Sequence, residues 1–217
     1  MRTSSAILLG FCSIAAYAQT PGFSFSNPPA ADTAQEKRDA VTWAQLNTPC
    51  RDRIKNRKIM VLIGEQQTNG YIYADQQNYG PHFDAINNRL QALGLRTYTP
   101  EEIRRQIAQA EIDAYFRNDP DAALSASRRL GASFVLRGLI SSQATPNPLM
   151  AVNQVSVNMG FTLTGSNGRV ISDTEASAAS YAGSDVQKMA LTLVNEKADE
   201  VVATLYADYC RNAGKSK

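Results

Sequence analysis

From Val155 to Leu163 every second residue is apolar (Val155, Val157, Met159, Phe161, Leu163), and Ser156, Asn158, Gly160 and Thr162 between them are small or polar. Strand side chains alternate faces, so the pattern predicts a strand with one buried and one wet face. The run ends in Gly165-Ser166-Asn167-Gly168, and Asn-Gly marks a hairpin because both residues tolerate positive φ. A second strand, from Arg169 to about Ser180, must return antiparallel. With a loop of two or four residues, strand parity puts Val170, Ser172, Thr174, Ala176 and Ala178 on the face of Phe161 and Leu163. That returning face is nearly all small side chains, which lets a helix lie close. An amphipathic helix follows at once, so the hairpin predicts a sheet covered by helices.

The rest of the chain reads by the same periodicities. Thr33-Ala34-Gln35-Glu36 is a capping-box pattern that predicts a helix to about Leu46, with Trp43 available as its anchor. Thr48-Pro49 stops it. Lys58 to Gly64 (KIMVLIG) is a continuous apolar run and predicts a buried central strand. After a long loop, Glu65 to Pro81, a helix runs from His82 to Leu93 on Phe83, Ile86, Leu90 and Leu93. Gly94 ends it, and Leu95 to Tyr98 makes a short strand. Thr99-Pro100-Glu101-Glu102 caps a helix expected to reach Phe116, with Ile103, Ile107, Ala110 and Ala114 along one face. Asp119-Pro120-Asp121 opens another, ending at Leu130-Gly131, and Ser133 to Ser141 is a strand. Ser184-Asp185-Val186-Gln187 opens the last helix, which runs to about Cys210. The order is α-β-α-β-α-α-β-β-β-α. It predicts one α/β domain over 33–211, with a mixed sheet, a central antiparallel hairpin, helices packed on the sheet, and a loose tail at 212–217.

The first stretch changes the picture of where such a domain works. Arg2 precedes an apolar core from Ala6 to Ala16, and Ala16-Tyr17-Ala18 is an A-x-A-like cleavage pattern. Residues 1–18 read as a secretory signal peptide cleaved after Ala18, too short in its apolar run to span a bilayer. Cys12 follows Phe11 rather than a small residue, which argues against a lipid anchor. Cleavage leaves no transmembrane segment, a flexible Pro-, Ser- and Gly-containing leader at 19–32, and 21 basic against 20 acidic side chains. That balance gives no nucleic-acid footprint. Two cysteines remain, Cys50 and Cys210, and in an oxidising compartment the default for a pair is a disulfide. The local basic run from Arg51 to Lys58 reads as a solvated connector.

Catalytic chemistry is thinly represented. His82 is the single histidine; a lone His at a helix start is most simply a hydrogen-bonded structural residue. No paired metal-ligand spacing accompanies it, and no G-x-S-x-G elbow presents a nucleophile. We expect no enzyme activity, no metal and no cofactor. The loop EQQTNGYIYADQQNYGP stands out more: Tyr71, Tyr73 and Tyr79 lie among Gln76, Gln77 and other amides. Tyrosines mixed with uncharged amides and Gly have the composition of recognition loops, and in α/β sheets sites gather beyond the carboxyl ends of strands. Tyr71, Tyr73, Gln76, Gln77, Tyr79 and His82 are the candidate binding residues, for a protein or a small ligand.

The strand KIMVLIG, a long loop, a helix and then Leu130-Gly131-Ala132-Ser133-Phe134-Val135-Leu136-Arg137-Gly138-Leu139-Ile140 resemble a periplasmic superfamily. It contains the curli-secretion protein CsgG, the penicillin-binding-protein activator LpoB and, in a related arrangement, the TolB amino-terminal domain. Ser133 stands where that family usually has Asp. The hairpin VSVNMGFTLTGSNGRVISD is similar to the family's long strands around a Thr-Gly turn. The resemblance implies a non-enzymatic periplasmic accessory or scaffold module of envelope assembly, contacting other envelope proteins; a homo-oligomer is a further partner to test for. The alternative is a small-ligand or glycan-binding module using the Tyr-rich loop 65–81.

Overall fold

The computed structural model describes residues 30–50, 57–66, 72–73, 80–117, 119–183 and 185–212. The expected signal peptide, most of the leader, residues 51–56 and the tail beyond Asn212 lie outside them. Among the described residues there are six helices and six strands. In order they are α1 (Ala30–Leu46), β1 (Lys58–Gln66), β2 (Ile72–Tyr73), α2 (Pro81–Ala92), β3 (Arg96–Thr97) and α3 (Pro100–Gln106). Then come α4 (Gln109–Phe116), α5 (Pro120–Leu130), β4 (Phe134–Pro146), β5 (Asn153–Gly165), β6 (Val170–Ala182) and α6 (Val186–Asn212).

One mixed sheet has the order β2-β1-β4-β5-β6, with β3 beside β1. β1 runs parallel to β3 and β4, while β4-β5-β6 is an antiparallel meander. This is the expected α/β architecture. The hairpin face is also as read: Leu163, Phe161, Met159 and Val157 pair with Ser172, Thr174, Ala176 and Ala178. Val170 is the exception. A register shift between Leu163 and Thr164 turns it out of that face, and it is exposed. Gly168 supplies the positive φ of the turn, +80°.

Two cores flank the sheet. The larger lies between α2 and α6 and the face of Ile59, Val61, Leu136, Met159 and Phe161. The Phe161 ring covers its cross-strand partner Gly138, where a Cβ would stand 2.3 Å from Phe161 Cε1. The glycine is therefore the absence of a side chain that the ring requires. The smaller core packs Ile103, Ile107, Ile112, Phe116 and Leu130 on Met60, Leu62 and Val135. It covers β1 and the start of β4 only; Arg137 closes its border, with its guanidinium over the Tyr115 and Phe116 rings. Beyond it, the second face of β5 and β6 stays open, where Thr162 Oγ1 donates to Asp173 Oδ1 at 2.8 Å.

Several element bounds depart from expectation. The helix expected from Thr99 to Phe116 is two: Ile107 is extended, and Ala108 opens α4, with Glu111 Oε2 accepting from the Ala108 N–H. The break keeps Ile107 buried but turns Ile112 and Phe116 inward instead of Ala110 and Ala114. β4 continues five residues past Ser141 because β5 pairs with it up to Pro146↔Asn153. α1 begins at Ala30, three residues before its expected start and inside the expected leader. α6 is capped by Asp185, whose Oδ1 accepts from the Lys188 N–H at 2.9 Å.

The anchor expected of α1 also fails. Trp43 is 70% exposed and Val41 is exposed too, while of the helix's described side chains only Thr33, Thr42, Gln45 and Leu46 are partly covered. Its hold on α6 includes Thr204 Oγ1 to Gln45 Oε1 at 3.5 Å. Just past α1, Cys50 is disulfide-bonded to Cys210 of α6, with Cα atoms 5.2 Å apart and a sequence separation of 160.

Candidate functional site

The carboxyl end of β1 is where the described chain gathers most of its convergent polar groups. β1 ends at Glu65-Gln66, and the chain folds back as β2, pairing Glu65 with Tyr73 and Gln66 with Ile72. Pro81 then starts α2, its fixed φ suited to a first helical position and its missing N–H no loss there. This brings His82 over the end of β1, where His82 Nδ1 lies 2.7 Å from Glu65 Oε1. A carboxylate can only accept, so Nδ1 carries the proton and Nε2 is the imidazole's remaining polar atom. Nε2 is buried and has no hydrogen-bond partner.

The start of α6 stands opposite. Between the two helix starts and β1 lies a cleft of about 610 Å³, walled by Ile63, Phe83, Val186 and Leu191 with Glu65, Ser142, Asp185 and Lys188 at its polar positions. Two helix N-termini face this region, but each has a carboxylate at hand, Glu65 for α2 and the Asp185 cap for α6. The partial positive charges are thus already answered by the chain's own acids. His82 is only 15% exposed, and it lines the cleft while its Nδ1 ties α2 to the end of β1. The cleft is a hollow with apolar walls and a few polar positions, the general form of a small-molecule site.

The sequence-predicted site residues divide as follows. His82 and the backbone of Tyr73 meet at Glu65, whereas Tyr71, Gln76, Gln77 and Tyr79 lie outside the described residues. Ser142, Asp185 and Lys188 were not singled out for this site. Asp185 carried a signal as a helix cap; Ser142 arrives only through the parallel β1–β4 register, which no local pattern encodes. Among the described residues, no three His, Cys, Asp or Glu side chains gather as a metal site, and no helix is long and apolar enough to cross a membrane.

Burial pushes the Tyr115 and Tyr209 hydroxyls up from the ordinary phenol range, partly offset by Arg137 and Arg57. Both rings are core elements, not parts of the cleft. Away from it, a hydrogen bond from Lys58, at 2.6 Å, holds Glu102 below the ordinary carboxylate range, and Arg129 does the same for Glu111.

No protein-family model matches the chain, and no curated protein sequence matches it. Solved structures do. The PelC dodecamer from Paraburkholderia phytofirmans is 15% identical, with a TM-score of 0.41 over 67% of this chain and 86% of that one. The LpoB C-terminal domain from Salmonella enterica is 12% identical, with a TM-score of 0.38 over 65% and 93%. Lipoprotein GNA1162 from Neisseria meningitidis is 16% identical, with a TM-score of 0.34 over 65% and 96%. These are distant likenesses.

Proposed function

We propose that the chain is exported, cleaved after Ala18, and works in the periplasm as a non-enzymatic accessory module of envelope assembly, through contacts with other proteins. The observation that carries this reading is α1. A helix of 17 residues that buries none of its described side chains and leaves most of them exposed, Trp43 and Val41 included, packs only a narrow stripe on its own fold. Helical stability in proteins comes chiefly from packing an apolar face. An exposed Trp on such a helix is the kind of side chain that anchors interfaces. The Cys50–Cys210 bond supports an oxidising compartment. The Tyr71, Tyr73 and Tyr79 loop contributes a second contact region in this reading.

The cleft beside His82 favours one other reading, a small-ligand or glycan-binding module. A single experiment separates the two. A photo-crosslinking residue is placed at Trp43, at Val41, at Gln187 in the cleft wall, or at the exposed Arg128, and illuminated in the native cell. A discrete protein adduct from positions 43 and 41, absent from 128, is the expected result. No adduct from either α1 position removes the protein-contact reading; an adduct to a low-mass species from position 187 alone installs the ligand reading in its place.

A further inference from the structure

The β4–β5 hairpin outruns the rest of the sheet. β1 stops pairing at Gln66↔Ser141, and β4 continues from Ser142 to Pro146, projecting about 17 Å further at the usual strand rise. Beside it run the first residues of β5 and the last of β6, joined at Asn153↔Ala182. This arm has no formal charge. The sequence contains no Asp, Glu, Lys, Arg or His between Arg137 and Arg169, and none between Glu175 and Asp185.

At the tip the sequence is Asn147-Pro148-Leu149-Met150-Ala151-Val152. Leu149 is 92% exposed and Met150 57%, the two most apolar positions of the turn facing water with nothing over them. Four backbone N–H groups of the turn, those of Asn147, Leu149, Met150 and Val152, are bonded within it. Asn147 Oδ1 accepts from the Leu149 and Met150 N–H groups at 2.9 and 3.2 Å. The Asn147 N–H donates to the Val152 carbonyl, and the Val152 N–H to that of Met150. Pro148 has no N–H to satisfy. One rung back, across from Gln154, Tyr181 is 56% exposed, an aromatic ring with a polar end.

We propose that this tip docks into the interfacial region of a lipid bilayer, with Leu149 and Met150 below the headgroups and Tyr181 at their level. A lipid surface asks for apolar side chains, backbone donors already bonded, no charge to desolvate and an amphipathic ring behind them. The tip supplies the exposed apolar pair and bonded donors at Asn147, Leu149, Met150 and Val152, and the arm supplies the absence of charge and the ring of Tyr181. A protein pocket would be recognised through a polar rim, and the tip's bonded donors and lack of charge give a rim little to hold. Because no charge takes part, binding depends on apolar burial and is indifferent to lipid charge and to salt. The contact is a touch from outside the bilayer, weak for one copy.

The test uses the disulfide-bonded chain with its single tryptophan moved to the tip, Trp43→Phe together with Leu149→Trp. The probes are vesicles of phosphatidylcholine alone and of phosphatidylcholine with phosphatidylglycerol. Both should shift the Trp emission to the blue and shield it from iodide, equally at low and high salt. Adding Met150→Asp should cut the bound fraction by about tenfold or more, with the melting temperature unchanged because the side chain is exposed. Emission equally quenched with and without either vesicle overturns the proposal. A response confined to phosphatidylglycerol and abolished by salt also overturns it, since a charged patch elsewhere would then be binding. So does a tip Trp that is shielded only when a protein partner is supplied.

Discussion

α1 and α6 lie against each other and are joined by a disulfide, yet they are held by different means. α6 is 27 residues long and buries twelve of them, from Ala190 to Cys210, against the sheet and α2. α1 buries none of its described side chains and keeps its turns with local pairs: Gln35 donates to Asp39 at 2.7 Å, and Arg38 to Gln35 at 2.6 Å. Such pairs contribute only about 0.2–0.5 kcal/mol each. One helix is a structural member of the domain. The other lies on α6 with only half-buried side chains and a covalent clamp just past its end, and most of its described side chains face solvent.

The strongest way to break this contrast is to attack the core under α6. Phe161→Ala should cost about 3–5 kcal/mol, because the ring is fully buried and lies over Gly138. Thr162→Ala, on the open face, should cost less than about 1 kcal/mol. Equal losses for the two variants in urea melts would mean that the two faces are not unequal after all. Next in size is the clamp. Replacing Cys50 and Cys210 by Ser should cost about 2–5 kcal/mol, given the long loop that the bond closes. Hydrogen exchange in the double variant should quicken far more in α1 than in α6; uniform protection across both would show that α1 holds itself.

Trp43→Ala should change stability by less than about 0.5 kcal/mol, since the ring is mostly in water. A loss above about 2 kcal/mol would make Trp43 a packed side chain and remove the contrast from its main witness. The smallest effect belongs to the helices on the second face. The folded-state pKa of Glu102 is lowered, first by its hydrogen bond from Lys58, so the stability it contributes is present above the ordinary carboxylate range. It is lost as pH falls through the lowered value. The pair is partly exposed and solvent screens it, so the contribution is small. Urea midpoints of the wild type and Glu102→Gln should differ modestly at neutral pH and converge once the pH has fallen below the lowered value. A constant gap down to that pH would assign the effect to packing.

Much of this was legible because the physics is local. The alternation from Val155 to Leu163 and the Asn167-Gly168 turn gave the hairpin and its buried face, since side-chain parity needs no tertiary information. Thr99 and Asp119 marked helix starts because their side chains bond the nearby backbone. What was not legible depended on partners distant in sequence. Residues 142–146 have no apolar alternation, and β4 extends through them only because β5 offers a paired edge. The break at Ile107 follows from the need to bury Phe116 as well as Ile103, which a single straight helix did not meet. Trp43 looked like an anchor because a lone Trp usually is one; only the finished surface shows that nothing lies over it. At the cleft, His82 was named, but Ser142 and Lys188 come from β4 and α6, brought there by topology.

The Cys50–Cys210 bond also decides how the molecule carries force. Tension entering along α1 and leaving past the end of α6 crosses two sulfur atoms and never enters the sheet. Oxidised, the domain is a closed ring hanging from that crosslink, and its strands bear no load. Reduced, the same pull would run through β1 and every strand after it in series, with the hydrogen-bonded ladders as its weakest links.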